Sequence, residues 1–256
     1  MKCLDLTLPT PAENLACDEA LLVWCEQGMR EAVLRFWEPR DYFVVLGYAN
    51  RVEREVRASL RDHGGLNVYR RCTGGGSVVQ GPGCLSYALV LPAEEGGALE
   101  GIASANQFIM EKHRVALEKL LDESQAGKGT TGHPADPSRV RVTVEGHTDL
   151  AVNGLKCSGN AQRRGKRWLL FHGTFLLDLD LAVIERALPS PSRQPSYRKG
   201  RSHREFLVNL GLSADLLKQA LCRAWDAGER LEDWPRQETM WLTRDKYATE
   251  PWNFKF

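Results

Sequence analysis

The chain has 256 residues, 43% of them hydrophobic, which is room for one large domain or two small ones and too apolar for a disordered chain. Lys plus Arg number 34 against 33 Asp plus Glu, a balance that argues against a general nucleic-acid or membrane binder. No apolar run approaches the ~20 residues that span a bilayer. The opening "MKCLDLTLPTPAEN" puts acids and prolines where a secretory leader keeps an apolar stretch, so a cytoplasmic protein is expected.

Thr10-Pro11-Ala12-Glu13 starts a helix: Thr10 can cap, Pro11 suits the first turn and Glu13 can reach back. Cys17, Ala20, Leu21, Trp24 and Cys25 then recur with helical spacing, and Gly28 is the stop. Residues 32–38 and 42–47 read as strands, and residues 52–65 as a short helix with a glycine stop. Strands at residues 67–71 and 85–91 flank "CTGGGSVVQGPG". A longer helix fits residues 103–121, with Ile109, Ala116, Leu117, Leu120 and Leu121 inward.

Residues 123–138 form the loosest stretch, rich in Gly, Ser, Thr and Pro, and are expected as a surface loop. Their "AGKGT" lacks the first glycine of a phosphate-binding loop, since Asp122 stands there. Val140, Val142 and Val144 alternate as in a strand, and Asn153-Gly154 between apolar flanks signals a hairpin. A second hairpin turns at Arg164-Gly165-Lys166 and returns through residues 168–181. Residues 189–202 are a polar, proline-bearing excursion, and Ser213 caps a last helix with Leu217, Leu221, Ala224 and Trp225 inward. Strands joined by hairpins with interspersed helices predict α+β architecture: a single domain over residues 1–256 on a mostly antiparallel sheet flanked by helices.

Three stretches carry possible chemistry. In Thr73-Gly74-Gly75-Gly76-Ser77 the glycines let backbone N–H groups approach an anion, with Arg70 and Arg71 adding charge; a strained hairpin is the plain alternative. Lys156 follows the Asn153-Gly154 turn within an apolar strand, where it points either to solvent or into a site as a compact charge. Strand alternation sends Cys157 to the opposite face. His172 precedes a glycine inside an apolar run and is either structural or part of a site. The basic clusters "QRRGKR" and "YRKGRSHRE" read as solvated turns or as a surface for an anionic ligand or acidic partner. The seven cysteines, with no Cys-x-x-Cys pair, read as small buried residues in a reducing compartment, not as a disulfide framework or zinc site.

Together, "NLACDEALL", "RRCTGGGSVVQGPG", "GHTDLAVNGLKCSGNAQRR", "HGTFLLDLDL", "HREFLVNL" and "YATEPWNFKF" resemble, in matching order, the lipoate–protein ligase and octanoyltransferase family. That family shares its fold with biotin–protein ligase. The resemblance implies a biotin/lipoate-protein-ligase type catalytic domain that activates lipoate or octanoate with ATP and Mg2+ as acyl-AMP. The acyl group then passes to a lysine of a lipoyl carrier domain, of the 2-oxoacid dehydrogenase E2 or glycine-cleavage H protein type. It implies a catalytic Lys156. It implies a substrate and nucleotide site from Arg71, Thr73, Gly74, Gly75, Gly76, Ser77, Val78, Val79, Asp149, Ser158, Gly159, Asn160, Ala161, His172, Gly173 and Thr174, with Asp149 also near the metal.

Two rival readings stand beside the ligase: acyl transfer from an acyl-carrier protein through a cysteine thioester, and a non-catalytic lipoate-binding homologue. Transferases of this type need an activated thiol near the lysine. Residues 178–203 contain none, and His147 and Thr148 stand where another type places it, leaving Cys72, Cys84 and Cys157 as formal candidates. Gln80 replaces a histidine common in the family, and the small C-terminal domain of many ligases has no counterpart, so a separate small accessory subunit is a possible partner. No nucleic-acid or membrane partner is expected.

Overall fold

A computed structural model of the chain describes residues 1–61, 65–126, 140–191 and 194–256. Its strands are β1 (Lys2–Asp5), β2 (Val33–Trp37), β3 (Phe43–Leu46), β4 (Asn67–Arg70), β5 (Val78–Gln80), β6 (Cys84–Pro92), β7 (Val142–Glu145), β8 (Asp149–Val152), β9 (Leu155–Arg164), β10 (Trp168–Leu176) and β11 (Glu229–Arg230). The helices are α1 (Pro11–Gln27), α2 (Val52–Glu55), α3 (Ala58–Arg61), α4 (Ile102–Ala126), α5 (Leu181–Ala187), α6 (His203–Phe206), α7 (Ala214–Ala224), α8 (Arg236–Leu242) and α9 (Glu250–Asn253). No helix among the described residues is long and apolar enough to cross a membrane.

Eight strands form one sheet in the order β11-β1-β2-β6-β10-β9-β8-β7, antiparallel from β2 through β7 and parallel at the β1 edge. A second sheet, β4-β3-β5, is smaller. The architecture is thus α+β with a mostly antiparallel sheet, as the hairpin-rich sequence predicts.

Alternation along the central strands divides the core. Leu34, Phe36, Leu85, Tyr87, Leu89, Leu169, Phe171 and Phe175 pack on one face against α4 and α7. Val33, Trp37, Ala88, Val90, Trp168 and Leu170 pack on the other against α1. The small sheet and α5 enclose a third cluster around Val44, Val79 and Ile184.

Local chemistry sets the element ends. The Thr10–Glu13 capping box forms in both directions, and Gly28 closes α1 at φ 135°. Asn153 and Gly154 take φ 49° and 79°, the left-handed pair that a two-residue hairpin with the right strand twist requires. The second hairpin closes with Gly165 N–H donating to the Trp168 carbonyl at 2.8 Å.

Four expectations are corrected. Residues 52–65 do not form one helix: α2 and α3 are single turns separated where Val56 turns extended and buries its side chain in the third cluster. Helix α4 runs on to Ala126, so residues 123–126 are helical, while residues 127–138 of the expected loop lie outside the described residues. The glycine stretch leads into a strand of its own, β5, which pairs with β3 and not with the β6 strand that follows. The helix capped by Ser213 is not the last, because α8, a π turn (Thr243–Tyr247) and α9 follow it. The terminal helices are too short to show a period, and tertiary contacts hold them.

A candidate anion site between the glycine loop and Lys156

Lys156 sits near the start of β9, and its direction is decided by an irregularity. Leu150 pairs with Ser158 while its neighbour Ala151 pairs with Lys156, so β9 carries one extra residue, Cys157. Such a bulge switches which later residues share a face. Simple alternation would group Lys156 with Ser158 and Asn160. Instead a Cβ on Gly159 would lie 2.9 Å from the Lys156 ammonium, so lysine and glycine share a face, and Ala161 follows on it. Cys157 points the other way and is fully buried, its thiol donating to the Leu150 carbonyl at 3.3 Å. Burial pushes that thiol up to about 12.

The Lys156 ammonium meets Asp149 Oδ1 at 2.8 Å, with side chains 24% and 15% exposed. The other carboxylate oxygen, Oδ2, accepts the Tyr197 hydroxyl at 2.8 Å. Burial and the Asp149 charge both raise the Tyr197 phenol, which keeps it a hydrogen-bond donor. Tyr197 comes from the polar excursion after α5, and nothing in its local sequence marks it.

Gly74, Gly75 and Gly76 are exposed, and Gly75 takes φ 88°. A Cβ on Gly75 would sit 3.9 Å from that of Ala161, so the loop lies over the β9 face that carries Lys156. Gly47 must also lack a Cβ, which would overlap the Gly75 carbonyl oxygen.

The two arginines divide their work. Arg70, fully buried, donates to the carbonyls of Gly47, Tyr48, Asn50, Trp252 and Asn253, tying the loop after β3 to the C-terminal segment. It is a structural hub and adds no charge to a ligand site. Arg71 donates through its Nη2 to the Gly74 carbonyl at 2.5 Å and the Gly76 carbonyl at 2.8 Å, and through Nε to Thr73 Oγ1 at 2.9 Å. Burial pulls its guanidinium down to about 10, still protonated at neutral pH.

His172, buried on β10, joins this loop to α1. Its Nε2 is 2.7 Å from Thr73 Oγ1 and its Nδ1 is 3.1 Å from Asp18 Oδ2. Asp18 in turn takes Arg35 Nη1 on Oδ1 at 2.5 Å. Asp18 and Arg35 are absent from the sequence-predicted set. Their signal was an arginine inside the otherwise apolar strand "AVLRFWE" and an aspartate within the buried stripe of α1.

The remaining predicted residues divide. Ser77 donates to Glu55 Oε2 at 2.9 Å and accepts from Asn50 Nδ2 at 3.0 Å, while Val79 is buried in the third cluster and Val78 packs against the α1 side. Ser158 and Asn160 turn to the α4 side, where Asn160 accepts the Tyr87 hydroxyl at 2.6 Å and donates to the Thr148 carbonyl at 2.6 Å. Their side chains therefore lie on the opposite face from Lys156. A Cβ on Gly173 would overlap the Asn160 carboxamide oxygen, so that glycine answers to Asn160. Thr174 accepts from Gln80 Nε2 at 2.6 Å, and Gln80 also donates to Ser86 at 3.2 Å.

The basic clusters are largely spent on structure. Arg163 pairs with Glu19, Arg164 donates to the Leu99 and Glu100 carbonyls, Arg167 donates to Glu26, and Arg198 and Arg201 stack on Phe206. An apolar groove of about 750 Å³ between α4 and α7, lined by Phe108, Val115 and Ala220, contains none of the candidate residues.

Asp149, the carboxylate expected near the metal, is already paired within the protein. Lys156 and Tyr197 occupy both of its oxygens, and no group of three or more His, Cys, Asp or Glu that could hold a metal exists among the described residues.

A fixed ammonium on the sheet face that a bare-backbone loop also covers can stabilise an anion whose charge grows during reaction. The model of the lipoyl protein ligase A/B catalytic domain matches residues 10–221, and the chain belongs to that family, one of lipoyl and octanoyl ligases and transferases. It is 27% identical to the octanoyltransferase LipM of Halalkalibacterium halodurans, over 96% of this chain and 95% of that protein. It is 26% identical to the lipoate-protein ligase A subunit 1 of Thermoplasma acidophilum, over 97% and 95%. A chain from the structural analysis of a bipartite lipoate protein ligase and its E2 lipoyl domain from Thermoplasma acidophilum superposes with a TM-score of 0.76 at 23% identity, covering 99% of this chain and 96% of that one. A lipoate-protein ligase A bound with ATP gives 0.73 at 24% identity, covering 99% of both.

Proposed function

We propose that the chain is a lipoate–protein ligase: it joins lipoate or octanoate to AMP at the expense of ATP and passes the acyl group to the lysine of a lipoyl carrier domain. The observation that carries this reading is a lysine held for anion binding with no activated thiol beside it. All seven cysteines lie among the described residues. Cys157 faces the opposite core, burial pushes Cys84 up to about 12, and burial also raises Cys72. Cys3 and Cys222 are on β1 and α7, away from β9. A thioester mechanism needs a thiolate that can form near neutral pH. Adenylation asks no nucleophile of the protein.

In the first half-reaction the substrate carboxylate attacks the α-phosphorus of ATP and pyrophosphate leaves. In the second the carrier's neutral lysine amine attacks the acyl carbonyl, AMP departs with the bonding electron pair, and the new amide nitrogen loses a proton. Both steps build negative charge on phosphate and carbonyl oxygens. Lys156 supplies a cation there and the glycine loop supplies N–H donors, each key donor contributing about 3–4 kcal/mol. Asp149, itself held by the Tyr197 hydroxyl, aims the ammonium.

Acyl transfer from an acyl-carrier thioester is the second reading, favoured by the octanoyltransferase relatives. Incubation with a lipoyl carrier domain, lipoate, ATP and magnesium, read by intact mass, separates the two. Mass gain that requires ATP and survives Cys72→Ala, Cys84→Ala and Cys157→Ser supports the ligase. ATP-independent gain from octanoyl-carrier protein, abolished by one of those substitutions, refutes it.

A further inference from the structure

An unbroken chain of hydrogen bonds runs from the centre of the molecule to the glycine loop. Arg35 is fully buried and donates to Asp18, the Asn14 carbonyl, Asn14 Oδ1 and the Leu6 carbonyl. The Asp18 carboxylate, itself buried, can only accept, so His172 Nδ1 donates to it. The other ring nitrogen, Nε2, shares a hydrogen bond with the Thr73 hydroxyl at 2.7 Å. Thr73 Oγ1 keeps lone pairs free, and Arg71 Nε donates into one of them. Arg71 Nη2 is thereby aimed at the Gly74 and Gly76 carbonyls.

The loop needs such a brace. Three consecutive exposed glycines have the most backbone freedom the chain can hold, and no neighbour lies within 4 Å of where a Cβ would be on Gly74 or Gly76. A cradle of N–H groups stabilises developing charge only if its shape is set beforehand.

We propose that Asp18 and His172 are positioning residues: acting through Thr73 and Arg71, they fix the Gly74–Gly76 loop, and His172 does not itself contact the acyl group. The activity arm rests on the ligase reading above, whereas the loop arm does not.

The test compares Thr73→Val, which keeps the shape and loses the hydroxyl, with Thr73→Ser, which keeps the hydroxyl. Amide exchange of a peptide spanning residues 72–79 in the free protein is expected to speed up at least tenfold in Thr73→Val and to return near the wild-type rate in Thr73→Ser. With carrier domain, lipoate and ATP, Thr73→Val is expected to lose about ten- to hundredfold in kcat with little change in the KM for lipoate, and Thr73→Ser to recover most of it. His172→Asn can still donate to Asp18 but cannot reach Thr73, and serves if Thr73→Val folds poorly; the double variant is expected to be no worse than either single one. Unchanged loop exchange in both Thr73→Val and His172→Asn, or a loss that rises mainly in KM for lipoate, would overturn the proposal. If wild-type protein transfers nothing with ATP while loop exchange still responds, the ligase reading fails and the positioning role stands.

Discussion

Lys156→Met keeps most of the side-chain length and removes the charge. At 2.8 Å the ammonium and the Asp149 carboxylate attract with about 6 kcal/mol at an effective dielectric near 20. Both groups gave up hydration to reach this place, and both keep some exposure, so the net loss on breaking the pair is expected to be about 1–3 kcal/mol. Tyr197 still donates to Asp149 and limits the cost. The transition state loses more: withdrawing one preorganised donor costs about 3–4 kcal/mol, or roughly 10²–10³ in rate. Activity should therefore fall far more than stability does. Pyrophosphate release and mass gain of a carrier domain report the first quantity, and urea unfolding the second. Lys156→Arg should rescue little, since a planar fork does not replace a compact point charge. A Lys156→Met protein that folds and transfers within threefold of the wild-type rate would refute the argument.

Gly159→Ala and Gly173→Ala should part company. A methyl on Gly159 meets the far end of the Lys156 side chain at 2.9 Å, which can swing away, so activity is expected to drop with stability changed by less than about 1 kcal/mol. A methyl on Gly173 strikes Asn160 and lies 2.8 Å from the Gly159 carbonyl oxygen, so urea unfolding is expected to show about 2–3 kcal/mol lost. His113, buried beneath Trp225, is held down to about 3 by burial. The unfolded chain takes up a proton below about 6.5 that the folded chain refuses until about 3, so stability falls as pH drops through that window. The His113 share is about 2 kcal/mol between pH 7 and 5, and His113→Gln should flatten the measured slope by that amount. Glu19 accepts from Arg163, Lys246 and Tyr247 at 2.5, 2.6 and 2.7 Å, pinning α1 to the C-terminal segment. Glu19→Gln is expected to loosen that segment, visible as faster trimming of the last residues by carboxypeptidase; equal trimming rates would count against the clasp.

Local interactions wrote much of this protein into its sequence. Capping residues, the Asn153-Gly154 turn and the period of each buried stripe act over a few residues, so α1, the two hairpins and the strands around them could be read directly. The glycine loop and Lys156 stood out because their residue types conflict with their surroundings, three glycines in a strand-rich region and a cation on an apolar strand. What the tertiary structure alone decided depends on distance in the chain. The bulge at Cys157, set by pairing with β8, chose the face of Lys156 and turned Ser158 and Asn160 away from it. Tyr197, 48 residues from Asp149, and Asp18, 154 residues from His172, acquired partners only when the sheet and α1 closed together. The same closure turned Arg70 into a hub for carbonyls contributed by the C-terminal segment. A side chain's type is local information, but its hydrogen-bond partner is fixed only by packing, which is why residue 71 could be picked from the sequence and what it holds could not.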